Sequence, residues 1–219
     1  MEYSLATLCA MSKPVSHYFS LPHGEPTIPQ NVRRTTARAA GITLEFSTGA
    51  GVFARGGLDA GSRLLIETAL PRGDWPEGAH LCDLGCGWGP VGCFAARLLP
   101  QAEVYLCDIN ERAVQLAAAN LALHELSNAR AWCGDGLDAT RGDCFDAVLC
   151  NPPVRAGNAV IAKLFADAER GLRPGGVLWV VLRTAQGAKS WQKKLAAQFG
   201  ACETVAIDGG YRILRSMKS

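Results

Sequence analysis

The sequence predicts an α/β domain in which helices cover both faces of a doubly wound, mostly parallel sheet. From about residue 80 onward, seven short apolar runs typical of strands mostly alternate with segments of helical periodicity. Successive parallel strands need right-handed crossovers, and the intervening helices provide them. The last two runs are separated only by Asp208, Gly209 and Gly210, which predicts a closing hairpin and one antiparallel strand.

Length and composition indicate one folded domain. The chain has 219 residues, of which 48% are hydrophobic and 19% charged, so disorder is not expected. No apolar run is long enough to span a bilayer, and the first residues lack the basic segment of a signal peptide. We therefore expect a cytoplasmic protein with residues 61–219 as its main domain and residues 1–60 as an N-terminal extension. The nine cysteines lack metal-ligand spacing, so buried thiols and no metal site are expected.

The N-terminal part contains few regular elements. Residues 1–40 are expected to be irregular because "LPHGEPTIPQ" holds three prolines. Residues 42–53 predict two strand pieces, "ITLEF" and "VF", joined by the turn "STGAG". The helix "GGLDAGSRLLIETAL" follows, with Asp59 or Ser62 as its N-cap.

The remaining elements follow one another regularly. "HLCDLG" predicts a strand, and Pro90 then occupies the first turn of a helix, where proline is favoured. "AEVYLCDI" predicts the next strand, before a helix capped by Asn110. Two further strands, "ARAWCGD" and "CFDAVLCN", precede a helix that ends at "RPGG". The strand "VLWVVLRT", the helix "GAKSWQKKLAAQFG" and the hairpin complete the order.

A glycine-rich turn follows the first strand of this regular part. In "DLGCGWGP", Gly85, Gly87 and Gly89 allow a tight turn and a close approach of a ligand to the backbone. Ligands of such sheets bind beyond the carboxyl ends of the strands. The dinucleotide fingerprint requires glycine three positions after Gly87, where this chain has Pro90, so a nicotinamide-dependent oxidoreductase is disfavoured.

Three further strand ends carry polar residues. Asp108 can accept hydrogen bonds from both hydroxyls of a ribose. Asp135 can meet an adenine amino group, although turn aspartates are common. Asn151 precedes Pro152 and Pro153, which have no N–H, so this strand end offers oxygen acceptors to an –NH2 group. Taken alone, each of these features also fits an ordinary turn.

In this order, "DLGCGWGP", "CDIN", "GD" and "NPPV" resemble the class I S-adenosylmethionine-dependent methyltransferases. "GVFARGGLDAGSRLLIE", "NPPVRAG" and "GLRPGGVLWVV" are similar to their small-domain family, which includes ribosomal RNA small subunit methyltransferases of the C type that form N2-methylguanosine. The resemblance covers about residues 45–217 and implies a Rossmann-like, seven-stranded methyltransferase fold with S-adenosylmethionine as cofactor.

The resemblance also implies site residues. It places around the cofactor Asp83, Gly85, Gly87 and Gly89 at the methionine part, Asp108 at the ribose, and Asp135, Ile109 and Leu137 at the adenine. The catalytic residues that it implies are Asn151, which also borders the cofactor, and Pro152 through its carbonyl. On the substrate side it implies Pro153, Val154, Arg155 and Phe53.

Two departures from the family concern the substrate. Relatives often have an aromatic residue after the two prolines, where this chain has Val154; Phe53, or Tyr18 with Phe19, would have to replace it. The ribosomal members also carry a second, degenerate N-terminal domain, for which this sequence has no room. The substrate is therefore not carried over with the fold.

The preferred hypothesis is N-methylation of an exocyclic amine, with guanine N2 of ribosomal RNA as the expected target and RNA as the partner. A protein glutamine amide or a small molecule is the alternative, because each also offers an –NH2 group. A nucleotide-binding module without catalysis is a third possibility. A basic rim would favour RNA, and its candidates are Arg33, Arg34, Arg38, Arg55 and Arg155.

Overall fold

A computed structural model describes residues 32–52, 56–73, 75–138, 140 and 142–219. The strands are β1 (Val32–Ala39), β2 (Ile42–Gly49), β3 (His80–Leu84), β4 (Glu103–Asp108), β5 (Ala129–Cys133), β6 (Phe145–Cys150), β7 (Leu172–Arg183), β8 (Glu203–Asp208) and β9 (Tyr211–Met217). The helices are α1 (Ala60–Arg72), α2 (Pro90–Leu98), α3 (Glu111–Leu123), α4 (Asn158–Gly171) and α5 (Ala188–Phe199).

Seven strands form one sheet in the order β5-β4-β3-β6-β7-β9-β8. All of its pairs are parallel except those of β9, which runs antiparallel to both β7 and β8. The predicted doubly wound sheet with one antiparallel strand is thus confirmed. From β3 the chain builds outward to β4 and β5, and from β6 it builds the other way. The direction reverses between β3 and β6, where such sheets form a crevice at their carboxyl ends.

The N-terminal region differs from its prediction. Residues 32–39, expected to be irregular, form β1 and pair in register with β2. The apolar side chains on its buried face are only alanines, Ala37 and Ala39, so the hydrophobic pattern that predicts a strand is weak there. The predicted strand piece "VF" is also wrong at Val52, which lies in a bend, and Phe53 lies outside the described residues.

The β1–β2 hairpin packs directly against the glycine-rich turn. Phe46 is fully buried, with its ring 4.8 Å from that of Trp88. The buried amide of Asn120 accepts from Ser47 N at 2.7 Å and donates to Ser47 O at 2.9 Å and Trp88 O at 2.8 Å. A buried amide whose hydrogen bonds are all satisfied makes its surroundings rigid. The Asn120 side chain therefore holds β2, α3 and the turn together.

The helix caps largely follow the sequence. Asp59 caps α1 through its side chain, and Asn110 caps α3, while Pro90 opens α2 as predicted. The segment "RPGG" does not simply end a helix: α4 stops at Gly171, and β7 already begins at Leu172. The pairing of β6 with β7 shifts register across this segment, which lets the strand include a glycine with φ of 79° at Gly175.

None of the eight cysteines among the described residues forms a disulfide, and five of them are buried. Burial raises the pKa of the thiols of Cys93, Cys107 and Cys150 far above the ordinary value, so they are neutral. In the same described part, no helix is long and apolar enough to cross a membrane.

Candidate active site

A cavity of about 1020 Å³ opens at the carboxyl edge of the sheet, over the crevice between β3 and β6. It brings together most of the residues that the sequence singled out: Asp83, Gly85, Gly87, Asp108, Ile109, Asp135, Asn151, Pro152, Pro153, Val154 and Arg155. Gly89 and the fully buried Leu137, which were also predicted as site residues, do not line the cavity, and Phe53 lies outside the described residues.

Two glycines of the glycine-rich turn, Gly85 and Gly87, line the cavity with backbone alone. Gly85 N and Cys86 N donate to Cys107 O, which fixes the turn on the end of β4. Gly85 and Gly87 have φ of 76° and 57°, and a Cβ at either position would point into open space. A ligand can therefore reach the backbone closely. Gly89 serves packing instead, since a Cβ there would lie 3.0 Å from Ala117 Cβ.

Asp83 supplies a buried carboxyl group at the bottom of the cavity. Its Oδ2 accepts from Gly92 N at 2.8 Å, near the start of α2. Burial raises the pKa of this carboxyl to about 7; the Gly92 N–H opposes the shift, and the neighbouring Asp108 adds to it. A positively charged group in the cavity would therefore stabilise the ionised form of Asp83.

Asp108 is held by backbone donors on both sides. Its Oδ2 accepts from Gly87 N at 2.8 Å, and its Oδ1 accepts from Asn110 N at 2.9 Å. Each carboxylate oxygen has a further lone pair, so the group can still accept from a ligand. Beside it, Ile109 is 68% exposed, which leaves an apolar surface beside the cavity.

Around Asp135, the cavity is bordered by a charge cluster that was not predicted from the sequence. Lys163 Nζ lies 3.0 Å from Asp135 O, 3.0 Å from Asp138 Oδ2 and 2.8 Å from Asp167 Oδ2. Burial acts to lower the pKa of Lys163, but its bonds to Asp167 and Asp138 raise it overall. Lys163 and Asp167 are four residues apart on α4, a spacing that indicates an ion pair on one face of a helix and could have predicted this contact. This cluster fixes the loop that carries Asp135.

Asn151 faces α1 with its amide nitrogen. The Nδ2 group donates to Ser62 Oγ at 2.9 Å and to Asp59 Oδ1 and Oδ2 at 3.3 and 3.4 Å. Pro153 O accepts from Ala156 N at 2.8 Å within a short 3₁₀ turn. The sequence reading considered Asp59 and Ser62 only as helix caps, because nothing local indicates that α1 begins beside the end of β6.

Two further residues of the cavity were not among the predicted site residues. Tyr211 and Arg183 line the same cavity, and the Arg183 Cζ atom lies 4.8 Å from the centre of the Tyr211 ring. They face each other in register at the carboxyl end of β7 and the start of β9. The predicted hairpin strands had no predicted register against β7, so the position of these two residues at the cavity could not be predicted from the sequence.

Comparisons with known proteins agree with this geometry. The family model described as methyltransferase small domain matches residues 43–215. Uncharacterized protein YbxB of Bacillus subtilis is 31% identical over 204 residues, covering 92% of this chain and 98% of that protein. Ribosomal RNA large subunit methyltransferase G of Shewanella denitrificans is 40% identical over 184 residues, covering 80% of this chain and 46% of its own length.

Among solved structures, the T. thermophilus 16S rRNA N2 G methyltransferase RsmC, in complex with AdoMet and guanosine, matches with a TM-score of 0.76 and 31% identity. The match covers 87% of this chain and 52% of that chain. The chain thus spans about half the length of these two ribosomal RNA methyltransferases, and nearly all of the Bacillus protein.

S-adenosylmethionine fits the residues that this cavity presents. The open positions above Gly85 and Gly87 form a cradle that a side chain would fill. When the cofactor is bound, Asp83 would supply a carboxylate for the ammonium group of the methionine part, and Asp108 would supply lone pairs for the ribose hydroxyls. The cofactor is S-adenosylmethionine, as in the matched solved structure.

Proposed function

The chain belongs to the methyltransferase small domain family, and on this basis we propose that it methylates an exocyclic amine, guanine N2 of ribosomal RNA. The observation that carries the proposal is the acceptor-only strand end at Asn151 and Pro152. Both Asn151 N–H groups point away to α1, and neither proline has an N–H. An –NH2 group is the reactive group that this end of the cavity complements.

S-adenosylmethionine supplies a methyl group bonded to a positively charged sulfur. The task of the chain is to place a nucleophile beside it. Asn151 Oδ1 and the Pro152 carbonyl accept hydrogen bonds from the two N–H groups of the amine. These two bonds fix the position of the nitrogen and favour a pyramidal geometry in which its lone pair is available. The nitrogen loses one proton as it is methylated, and solvent water takes that proton because the alkylated amine is acidic.

RNA is favoured as the substrate by charge and by relatives. Arg33, Arg34 and Arg38 are exposed on β1, and Arg155 and Arg183 are exposed at the cavity. A guanidinium plane can stack on a base and can also contact phosphate. Arg183 beside Tyr211 therefore supplies the flat surface that Val154 cannot. Two of the similar proteins, the large subunit methyltransferase G of Shewanella denitrificans and RsmC of T. thermophilus, act on ribosomal RNA. The proposed RNA target in turn supports the expected cytoplasmic location.

The test is transfer of an isotopically labelled methyl group from S-adenosylmethionine to three acceptors: purified ribosomal RNA, intact ribosomal subunits and a protein extract. Acceptors come from cells that lack the enzyme, so that the target position is unmethylated. We expect label in RNA or subunits, released as N2-methylguanosine after digestion to nucleosides. The Asn151→Ala variant, assayed in parallel, controls for contaminating activity.

The same assay decides against the proposal if label enters only protein. Label on a glutamine amide would identify the alternative substrate, with the same acceptor chemistry at Asn151. Label in RNA at a carbon atom or a ribose hydroxyl would also contradict the proposal, because those groups do not present two N–H donors.

A further inference from the structure

We infer that Asp59 and Ser62 are positioning residues that fix the orientation of the Asn151 amide, so that only its oxygen faces the substrate. The inference rests on the proposed function, since it assigns a cause to the acceptor-only site. It concerns Ser62 on α1 and the N-cap residue Asp59, which are 89 and 92 positions away from Asn151 in the sequence.

The geometry specifies which end of the amide points where. An ionised carboxylate can only accept hydrogen bonds, so the group of Asn151 that faces Asp59 must be the donor. The two Asp59 oxygens lie 3.3 and 3.4 Å from Asn151 Nδ2 and share one of its N–H groups. The second N–H goes to Ser62 Oγ at 2.9 Å. With both hydrogens used, Asn151 has no donor left for the cavity.

Asp59 is itself immobilised by the start of α1. Its Oδ1 accepts from Gly61 N at 3.0 Å and from Ser62 N at 3.1 Å, as the N-cap of the helix. Ser62 is buried, with 4% of its surface exposed. The amide of Asn151 is therefore held by groups that cannot easily turn, and an inverted amide would place its oxygen against the carboxylate.

This arrangement has a consequence for specificity. An inverted Asn151 would present a donor, which suits a carbonyl or hydroxyl oxygen and opposes an –NH2 group. By excluding that state, Asp59 and Ser62 select an amine as the group that enters. They act through Asn151 and do not need to touch the substrate.

The substitution Asp59→Asn separates this role from helix capping. Asparagine keeps an oxygen for Gly61 N and Ser62 N and caps helices as well as aspartate does. It replaces one acceptor facing Asn151 with an –NH2 group, so the orientation of that amide is no longer enforced. We expect kcat for RNA methylation to fall about tenfold, with the KM for S-adenosylmethionine within about twofold of wild type. Ser62→Ala should lower kcat about threefold.

A rescue experiment tests the orientation itself. Combining Asp59→Asn with Asn151→Asp restores one donor facing one acceptor, and it again presents only oxygen to the cavity. We expect the double variant to regain kcat over Asp59→Asn alone. Asp146→Asn is the matched control: Asp146 accepts from His80 N and pairs with Arg173 near the start of β6, so the variant should lower the melting temperature and leave kcat unchanged. Wild-type kcat in Asp59→Asn, or no gain in the double variant, overturns the inference.

A spectroscopic measurement makes the inference independent of the substrate. The side-chain NH2 signals of Asn151, assigned by their loss in Asn151→Ala, should exchange slowly with deuterated water in the wild type. They should exchange faster in Asp59→Asn and in Ser62→Ala. Rapid wild-type exchange would refute the positioning role. If the Asn151 NH2 signals exchange slowly but the enzyme transfers no label to RNA, the positioning role is supported and RNA is excluded as the substrate.

Discussion

The two ends of the cavity are organised by contacts of very different range. At the cofactor end, Asp83 is bonded to a residue nine positions away, and Asp108 to residues two and 21 positions away. At the acceptor end, Asn151 is held by residues 89 and 92 positions away. The cofactor end is thus built largely by one βαβ unit, while the acceptor end exists only where α1 meets β6.

The difference teaches how the two functions can be changed separately. The hydrogen bonds of Asp83 and Asp108 lie within one unit, so they should be less sensitive to changes in the rest of the molecule. An acceptor site made between distant segments depends on the position of α1 relative to β6. Substitutions at the two ends should therefore affect cofactor binding and turnover independently.

The largest expected effect is that of Asn151→Ala, which removes the acceptor from the substrate end. Turnover should fall about 100-fold or more, because a hydrogen bond that orients the reacting nitrogen is lost in the transition state. Affinity for S-adenosylmethionine, measured by calorimetry, should stay within about threefold of wild type. Wild-type turnover in this variant would show that Asn151 does not orient the reacting nitrogen.

The next effect is on stability and concerns Asp83. Because its pKa rises from 3.8 to about 7 on folding, the folded state binds the proton more tightly, and stability falls as pH rises through that window. Between pH 4 and pH 6, the wild type should lose on the order of 2 kcal/mol relative to Asp83→Asn. Urea unfolding of both proteins without cofactor measures this difference. Parallel pH profiles of the two proteins would contradict the raised pKa of this carboxyl.

A smaller effect, confined to the cofactor end, is expected for Asp108→Ala. The Kd for S-adenosylmethionine should increase about tenfold, since a charged acceptor for the ribose is lost. At saturating cofactor, kcat should remain within about threefold of wild type. Asp143→Ala, which removes an exposed carboxylate paired with Lys218, is the control and should leave the Kd unchanged. A variant that loses kcat instead would show that the two ends are coupled.

The smallest effect is expected at the rim. Arg183→Ala should raise the KM for RNA about threefold and leave kcat and cofactor affinity unchanged, because stacking and charge are lost away from the reacting atoms. Arg130→Ala is the matched control: it removes an exposed arginine that pairs with Glu103 near the start of β4. An equal rise in both variants would indicate nonspecific electrostatics.

Much of this molecule could be predicted from its sequence because the signals are local. Alternating apolar runs and helical segments gave the seven-stranded sheet, and Asp208-Gly209-Gly210 gave the closing hairpin. Capping residues gave the starts of α1 and α3. The strand β1 was missed because its arginines and threonines are exposed or half-buried, and only alanines occupy its buried face.

The sequence by itself determined the seven-stranded sheet, the resemblance to a methyltransferase family, and the glycine-rich turn at the cavity. Only the tertiary structure decided what stands next to Asn151. Its motif shows a strand end rich in acceptors, but an amide also has a donor end, and local sequence does not say which end faces the substrate. The carboxylate of Asp59 settles this because it accepts hydrogen bonds only, and packing of α1 beside β6 brings it there.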